Sequence, residues 1–409
     1  MLTIIASLGS LLFAAALLYA GNGLQGTLLA VRGGGEGFSP PVIGALMSAY
    51  YFGFIVGCRV VPRFIADIGH IRCFVALASA ASASALAHAI FVEPISWGIL
   101  RATTGFAFAG MAMVLESWIN ERSSNANRGR VLSIYRMVDL GSLTLGNLLL
   151  AATSPAGFEL FALVSILISL ALVPIAMTRI EAPPPIKQAR LDLRGLYRVS
   201  PVAAAGALGT GLANAAFWGV APLFVQSTGY GADMVGRFMS VAIVAAGLSQ
   251  LPIGILSDRI DRRIVLCGTA VLAGCGAILL AVFGPNSITA LLLLGAVLGT
   301  FMLPVFGLSL AHAADHAAKG QSVGVSGSML LLHGVGAVIG AVLGGAAMSL
   351  AGGVGLFGYI ATIEIALAGF ALSRIAKRSA PDDKSKHRPA PRSPSTVVYG
   401  DTKKTGNNH

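Results

Sequence analysis

The stretch "GILSDRIDRR", residues 254–263, places a glycine, two aspartates and three arginines directly after a long apolar segment. A related stretch, "RFIADIGHIR", residues 63–72, stands 191 positions earlier and also follows a long apolar segment. Both have the composition of a short polar turn between two helices that cross a membrane. The recurrence of this turn predicts a membrane protein built from two related halves.

The composition excludes an ordinary soluble domain. The chain has 409 residues, of which 55% are hydrophobic and only 11% are charged, whereas soluble domains carry about 25% charged residues. Apolar runs of about 18 residues or more are long enough to cross a bilayer as helices. The sequence therefore predicts an all-α polytopic membrane protein with twelve transmembrane helices, at residues 4–30, 41–62, 73–92, 95–119, 130–152, 158–178, 201–226, 234–256, 264–283, 288–311, 323–347 and 354–373.

Basic residues are distributed very unevenly between the predicted loops. Of the 28 Lys and Arg residues, Arg32 and Arg237 lie on one side of the membrane, and Arg59, Arg101 and Arg136 lie within spans. All the others lie on the opposite side, and loops rich in Lys and Arg face the cytoplasm. This distribution predicts that both termini are cytoplasmic, and it explains the net charge of +11 without a nucleic-acid partner.

Positions separated by 191 or 192 residues match in the two halves of the chain. Asn22 corresponds to Asn214, and "IGALMS" (43–48) corresponds to "VGRFMS" (235–240). Such matches in several spans predict a duplication, with a polar, Pro-rich linker between the copies. The predicted domains are an N-terminal six-helix bundle (1–178), a cytoplasmic linker (179–200), a C-terminal six-helix bundle (201–373) and a cytoplasmic tail (374–409) whose composition predicts disorder.

Three motifs carry a family resemblance. The residues "GILSDR" (254–259), followed by two arginines, resemble the loop signature of the Major Facilitator Superfamily, with Asp261 where that signature usually has glycine. The stretch "LRATTGFAFAG" (100–110) is similar to a second motif of this family. The run "ESWINERSS" (116–124) resembles the YcaD-like transporters of bacterial inner membranes. The resemblance implies two pseudo-symmetric six-helix bundles in a bacterial inner membrane, with a solute site between them at the midplane.

Six residues of the two polar turns form a predicted conformational latch. An aspartate at this point can accept backbone N–H bonds at the start of the next helix and pair with arginines across the turn. Such a cluster can form in one transport state and break in another, whereas the alternative is simple anchoring of the cytoplasmic side by the arginines. The latch residues are Asp67, Arg72, Gly254, Asp258, Arg259 and Arg262.

Ionisable residues within the predicted spans are expected to have a charged partner or a function. A charge near the bilayer centre costs at least about 2.5–3.5 kcal/mol on insertion scales. Glu116 and Arg136 lie at similar depths in consecutive antiparallel spans, and Arg136 and Asp139 are i,i+3 neighbours. We expect them to form a cluster in which Asp139 carries a proton, with Glu116 as the reserve candidate. A static cluster that only joins two helices is the alternative.

Polar side chains in the middle of the spans are the candidate solute contacts. Asn22 and Gln25 are one turn apart in the first span, Asn214 repeats Asn22, and Trp218 can stack on an apolar solute. Arg101 has no acid near it in sequence. The family resemblance implies a coupling role for it, and we include it among the substrate-binding residues. Helix–helix hydrogen bonds are the simpler interpretation of four further residues: Tyr50, Tyr51, Gln250 and His333.

These features together favour a secondary active transporter that moves a small organic solute by alternating access, with the proton as coupling ion. A non-transporting receptor or scaffold and a lipid flippase are the alternatives on the same fold. The sequence has no P-loop, zinc-ligand set or hydrolase motif, and its four cysteines lack metal-ligand spacing. We therefore expect no enzyme activity, no cofactor and no metal, and a monomer whose partners are the solute, the proton and the lipid bilayer.

Overall fold

The structure, a computed structural model, describes residues 2–121, 123, 128–177, 191–317 and 322–375, and no strand occurs among them. Residues 178–190 of the predicted linker and the predicted tail beyond residue 375 lie outside the described residues. The helices are α1 (Leu2–Gly35), α2 (Pro40–Ile68), α3 (His70–Ile90), α4 (Pro94–Glu121), α5 (Arg128–Leu148), α6 (Glu159–Leu170), α7 (Leu172–Ala176), α8 (Leu193–Val199), α9 (Pro201–Ser227), α10 (Ala232–Arg259), α11 (Arg262–Phe283), α12 (Ile288–Met302), α13 (Val305–His316) and α14 (Ser322–Ile375).

Ten helical segments of the described chain are long and apolar enough to cross a membrane. The helix α5 is not among them because it carries Arg128, Arg130, Arg136 and Asp139 within one helix. The segment Gly324–Ile375 counts once although its backbone leaves the helical conformation in the middle. With α5 included and α14 divided, the described part of the chain has twelve helical segments, which agrees with the twelve spans that the sequence predicts.

The division of α14 occurs at a glycine. Gly352 has a φ of 57°, a left-handed conformation that costs side-chain-bearing residues free energy and costs glycine little. Ala351, just before it, is also non-helical. The chain therefore turns back at this point, and the two parts of α14 form the eleventh and twelfth crossings.

Close helix packing in the first half depends on glycines that face a neighbouring backbone. A Cβ added at Gly53 of α2 would lie 1.9 Å from the carbonyl oxygen of Ala102 in α4. A Cβ added at Gly105 of α4 would lie 2.0 Å from the carbonyl oxygen of Tyr50. Small residues at such crossings allow membrane helices to approach by backbone contact, so α2 and α4 are held side by side.

Successive crossings give the bundle two ends. We call the end with the α2–α3 turn at Gly69, the α10–α11 turn at Asp261 and the short helix α8 the linker end, and the other end the distal end. We call residues 2–177 the first half and residues 191–375 the second half. By the charge distribution in the sequence, the linker end is the side predicted to face the cytoplasm.

Candidate functional site

A central cavity of about 400 Å³ lies between the two halves. This volume is in the range of sites that hold small organic ligands. Its walls come from α1, α2, α4 and α5 of the first half and from α9, α10, α13 and α14 of the second half, and Leu191 and Leu303, which lie outside these helices, also reach it. The polar and charged lining residues are Asn22, Thr27, Tyr50, Tyr51, Cys58, Arg59, Arg101, Arg136, Asn147, Asn214, Trp218, Gln250 and His333.

The two halves are joined by hydrogen bonds on the distal side of the cavity. The Gln226 amide nitrogen donates to the carbonyl oxygen of Val31 at 3.2 Å, between the distal ends of α9 and α1. The Ser48 hydroxyl of α2 donates to the Val338 carbonyl of α14 at 2.5 Å, and the Ser240 hydroxyl of α10 donates to the Thr144 carbonyl of α5 at 3.1 Å. These contacts close the molecule at the distal end. Pro62 and Gln250, which lie toward the linker ends of α2 and α10, still line the cavity, so the cavity extends toward the linker end.

Most of the residues predicted to contact solute lie on the cavity wall. Asn22 and Asn214 line it from α1 and α9, and the carbonyl oxygen of the Asn214 side chain is buried without a hydrogen-bond partner among the described residues. Trp218 lines it one turn further along α9 and packs edge-on against Phe217. Gln25 differs from this group because it is fully buried and does not line the cavity. Although Gln25 is only one turn from Asn22, its side chain is buried in the helix packing.

Arg101 points at the cavity from α4. Its guanidinium carbon lies 4.4 Å from the centroid of the Tyr50 ring, which is a cation–π contact. Its Nη2 approaches the Met47 sulfur at 3.5 Å. Neither contact could be predicted from the sequence, because Met47 and Tyr50 lie on α2 and are more than fifty positions away along the chain.

The charged cluster of α5 is arranged around the edge of the cavity. Asp139 is fully buried and forms an ion pair with Arg136 on the same helix. The Arg136 side chain is 28% exposed and lines the cavity. Glu116 is 1% exposed on α4 and is not among the described residues that line the cavity. Of the predicted trio, Arg136 lines the cavity, and Asp139 is connected to it through the ion pair with Arg136.

The polar turn of the second half is an ordered charge cluster. Arg262 is buried at the start of α11 and pairs with Asp258 at 3.0 Å and with Asp315 of α13 at 2.6 Å. It also donates to the Ser257 hydroxyl at 3.0 Å, and Ser257 in turn donates to the carbonyl of the buried Gly254 at 2.8 Å. We call Asp258, Arg262 and Asp315 the Arg262 cluster. All three belong to the second half, so this cluster joins α10, α11 and α13 within one bundle.

The aspartate in place of the usual glycine caps α11. The Asp261 carboxylate accepts a hydrogen bond from the backbone N–H of Arg263 at 2.9 Å and pairs with the Arg263 guanidinium at 2.7 Å. Burial alone would raise the pKa of Asp261, but these hydrogen bonds outweigh it and hold the pKa below its ordinary value. Arg263 also donates to the carbonyl of Arg374 at 3.3 Å, which ties the turn to the end of α14.

The corresponding turn of the first half is more open. Asp67 and Arg72 are exposed on either side of Gly69, and no ion pair joins them within the described part of the chain. Arg259 of the second turn is exposed as well. The predicted latch residues are thus unequal: Gly254, Asp258 and Arg262 are ordered together, and Asp67, Arg72 and Arg259 face outward.

Tyr50, Tyr51, Gln250 and His333, for which helix–helix hydrogen bonding was the simpler interpretation, all line the cavity. The particular contacts between helices had no signal in the sequence, and one example is the contact of 3.2 Å between His333 and the Thr210 hydroxyl. A second example is the hydrogen bond of 2.5 Å from the Thr27 hydroxyl to the Asn147 side chain, which joins α1 to α5 at the cavity wall. These are cross-helix contacts, and a single sequence carries no information on which helices face each other.

Comparisons with known proteins agree with this architecture. The family model of the Major Facilitator Superfamily matches residues 11–236 and 203–404. An uncharacterized MFS-type transporter YcaD of Escherichia fergusonii is 25% identical over 300 residues, which cover 73% of this chain and 77% of the relative. A YcaD protein of Salmonella arizonae is 27% identical over 314 residues with the same coverage.

Solved transporters share the fold at low sequence identity. The nucleoside transporter NupG superposes with a TM-score of 0.69 at 14% identity, over 89% of this chain and 96% of that chain. A bacterial homologue of the human lysosomal transporter Spinster, in an inward-facing and occupied conformation, superposes with a TM-score of 0.71 at 14% identity, over 89% and 94%. The chain therefore belongs to the Major Facilitator Superfamily, within its YcaD-like group, and is a multi-pass membrane transporter and not an enzyme.

Proposed function

We propose that this protein is a proton-coupled secondary transporter of a small organic solute, which it moves by rocking its two halves around the central cavity. The observation that carries the proposal is the cavity itself, because both halves contribute to its walls and hydrogen bonds between the halves lie on its distal side. A site enclosed by two bundles and accessible from one end is what alternating access requires.

The charge distribution of the sequence supports an orientation with the linker end and both termini in the cytoplasm of a bacterial cell, and the protein in its inner membrane. In this orientation the closed distal side faces outward, and the described state is inward-facing. We expect the protein to work as a monomer, because the cavity is formed by one chain.

Asp139 is the proposed proton carrier. It is fully buried and forms an ion pair with Arg136, which lines the cavity. When a solute or water draws Arg136 away, the carboxylate loses this ion pair, and a buried charge is more costly without it. Asp139 then binds a proton in place of the ion pair with Arg136, and this exchange links the solute site to the proton gradient. Glu116 remains the second candidate, since it is equally buried on the neighbouring helix.

The test uses protein reconstituted in liposomes that contain a pH-sensitive dye, with a panel of small organic solutes added outside. We expect at least one solute to move protons with the wild-type protein, and an imposed pH gradient to drive its accumulation. The Asp139→Asn variant should lose accumulation and keep downhill exchange, because the cavity is intact and the proton site is gone.

The matched control is Asp233→Asn, which removes an aspartate that is 48% exposed at the distal end and should leave accumulation unchanged. If Asp139→Asn accumulates solute like the wild type, Asp139 only neutralises Arg136, and the proton passes elsewhere. If no solute moves protons with any variant, proton coupling itself is wrong.

A further inference from the structure

The guanidinium of Arg101 is a buried cation with incomplete compensation. The residue is 3% exposed, and its Nη1 nitrogen is buried without a hydrogen-bond partner among the described residues. Its contacts are the face of the Tyr50 ring and the Met47 sulfur. A cation–π contact and a thioether are weak partners for a charge that has lost its water.

The cavity around Arg101 offers it no negative charge. Arginines are the only fully charged side chains among the described residues that line the cavity, and no aspartate or glutamate is among them. Arg136 already has Asp139 as its partner, and Arg59 lies on α2 more than two turns further toward the linker end than Tyr50. At the level of Tyr50, therefore, the described wall carries one positive charge without a counter-charge.

An arginine cannot resolve this by losing its proton, since it stays charged in proteins. A buried charge without a partner costs several kcal/mol, and water in the cavity reaches little of a residue that is 3% exposed. The arrangement is costly in the empty cavity and becomes favourable when an anion enters. An interaction that is left unmade until the solute arrives is a source of selectivity.

We infer that the solute of this cavity is an organic carboxylate whose anionic group pairs with Arg101. The guanidinium fork matches a carboxylate with two parallel hydrogen bonds, and Nη1 is a donor that has no acceptor among the described residues. The aromatic side chains of Tyr51, Phe54 and Trp218 line the same cavity and provide surface for an apolar body attached to the carboxylate. The inference rests on the proposed function and adds the substrate class.

One uncompensated charge favours a solute with a single negative charge. A phosphate ester carries close to two charges at neutral pH, and the second would have no partner at this level of the wall. The amides of Asn22 and Asn214 are neutral, so they are suited to polar groups of the solute body and leave the anion to Arg101.

The test is an equilibrium binding measurement on the purified protein, and it needs no proton gradient. The probes are three carboxylates, benzoate, 2-naphthoate and octanoate, each compared with its neutral amide. Binding is followed by thermal unfolding and by the fluorescence of Trp218, which lines the cavity, whereas Trp97 and Trp118 are fully buried elsewhere. At least one carboxylate should bind about tenfold or more tightly than its amide, as expected for about 1.4 kcal/mol or more from one charge-assisted contact.

Two variants assign this preference to Arg101. Arg101→Met should reduce the preference for the carboxylate to about twofold or less, and Arg101→Lys should keep part of it, because it keeps the charge and loses the fork. Arg237→Met is the control, because it removes an arginine that is 60% exposed at the distal end and pairs with Asp233. It should leave the preference unchanged.

Three results would overturn the inference. They are equal binding of every carboxylate and its amide, an unchanged preference in Arg101→Met, and binding of a phosphate monoester such as phenyl phosphate more tightly than any of the carboxylates. The proposed function fails by a different result, the absence of solute-driven proton movement in liposomes. Binding of carboxylates without proton movement would support the carboxylate site and contradict proton coupling. Proton-driven transport of neutral solutes alone would support proton coupling and contradict the carboxylate site.

Discussion

At the scale of single residues, the buried ionisable groups of this protein fall into two kinds. Asp139 and Arg101 are connected to the cavity, Asp139 through Arg136 and Arg101 directly. Glu364 is different, because it is fully buried on the second part of α14 and neither of its carboxyl oxygens has a hydrogen-bond partner among the described residues. Its neighbours on the helix, Ile360 and Ala361, are buried as well.

Glu364 is expected to be dispensable for stability. An unpaired charge at this position would cost several kcal/mol, so the side chain contributes by packing and not by its charge. Glu364→Gln should leave the midpoint of thermal unfolding in detergent unchanged or raise it slightly. Asp139→Asn is the contrasting variant, because it leaves Arg136 without its partner and should lower the midpoint.

If Glu364→Gln unfolds several degrees below the wild type, its carboxylate has an ionic partner outside the described residues. If the Glu364→Gln variant keeps its stability and loses proton-driven accumulation, Glu364 is the proton carrier in place of Asp139.

At the scale of helices, the contacts of the Arg262 cluster have unequal weight. The Asp315 side chain is 2% exposed and Asp258 is 33% exposed, although both pair with Arg262. Removing one partner of a buried ion pair is strongly destabilising, whereas pairs near water contribute little. The Asp315–Arg262 pair therefore holds α13 against α11. The pair of Arg262 with the more exposed Asp258 can break at a lower cost in free energy.

We expect Asp315→Asn to reduce stability by up to about 3 kcal/mol and Asp258→Asn by less than about 1 kcal/mol. Thermal unfolding of the two purified variants measures the difference. The latch prediction adds that Asp258→Asn slows transport at nearly wild-type stability. Equal stability loss in both variants contradicts the unequal roles, and wild-type transport by Asp258→Asn contradicts the latch.

Closure of the distal end depends on the approach of α2 to α14. A Cβ added at Gly44 would lie 2.2 Å from the carbonyl oxygen of Ala341. Gly44→Val should therefore prevent the distal side from closing and favour the state that is open there. Cys58 lines the cavity in the present state, so its modification by a maleimide should become several-fold slower in Gly44→Val.

The control is Gly98→Val, because a Cβ at Gly98 meets no atom within 4 Å. It should leave the modification rate of Cys58 unchanged. Both measurements are made with Cys73, Cys267 and Cys275 replaced by serine, so that Cys58 is the thiol that the maleimide modifies. An unchanged rate in Gly44→Val would show that the contact with Ala341 does not control closure.

The sequence predicts the helices of this fold better than it predicts the site. Long apolar runs and the asymmetry of basic residues define the crossings, and even α5 is recovered although it carries Arg136 and Asp139. The pair Arg136–Asp139 follows from local i,i+3 spacing. Local spacing does not predict the partners of Arg101 and Arg262, because tertiary packing brings Met47, Tyr50 and Asp315 to them from other helices.

At the scale of the whole molecule, we propose that the two halves rock about a shared cavity and that Asp139 couples this motion to protons. The described state has the distal ends of α1 and α9 hydrogen-bonded and the cavity extending toward the linker end. Its counterpart should have the distal ends apart and the linker ends together. Distances across the two ends must then change in opposite directions.

The most direct test is electron paramagnetic resonance of spin-labelled protein in nanodiscs at acidic and at alkaline pH. One cysteine pair replaces Gly35 and Ser227 at the distal end, and a second pair replaces Phe64 and Leu256 toward the linker end. Each pair is introduced into a chain without its native cysteines. We expect two populations of distances at each end, opposite shifts of these populations with pH, and no shift in Asp139→Asn. A single pH-independent distance at both ends, or an unchanged shift in Asp139→Asn, would contradict it.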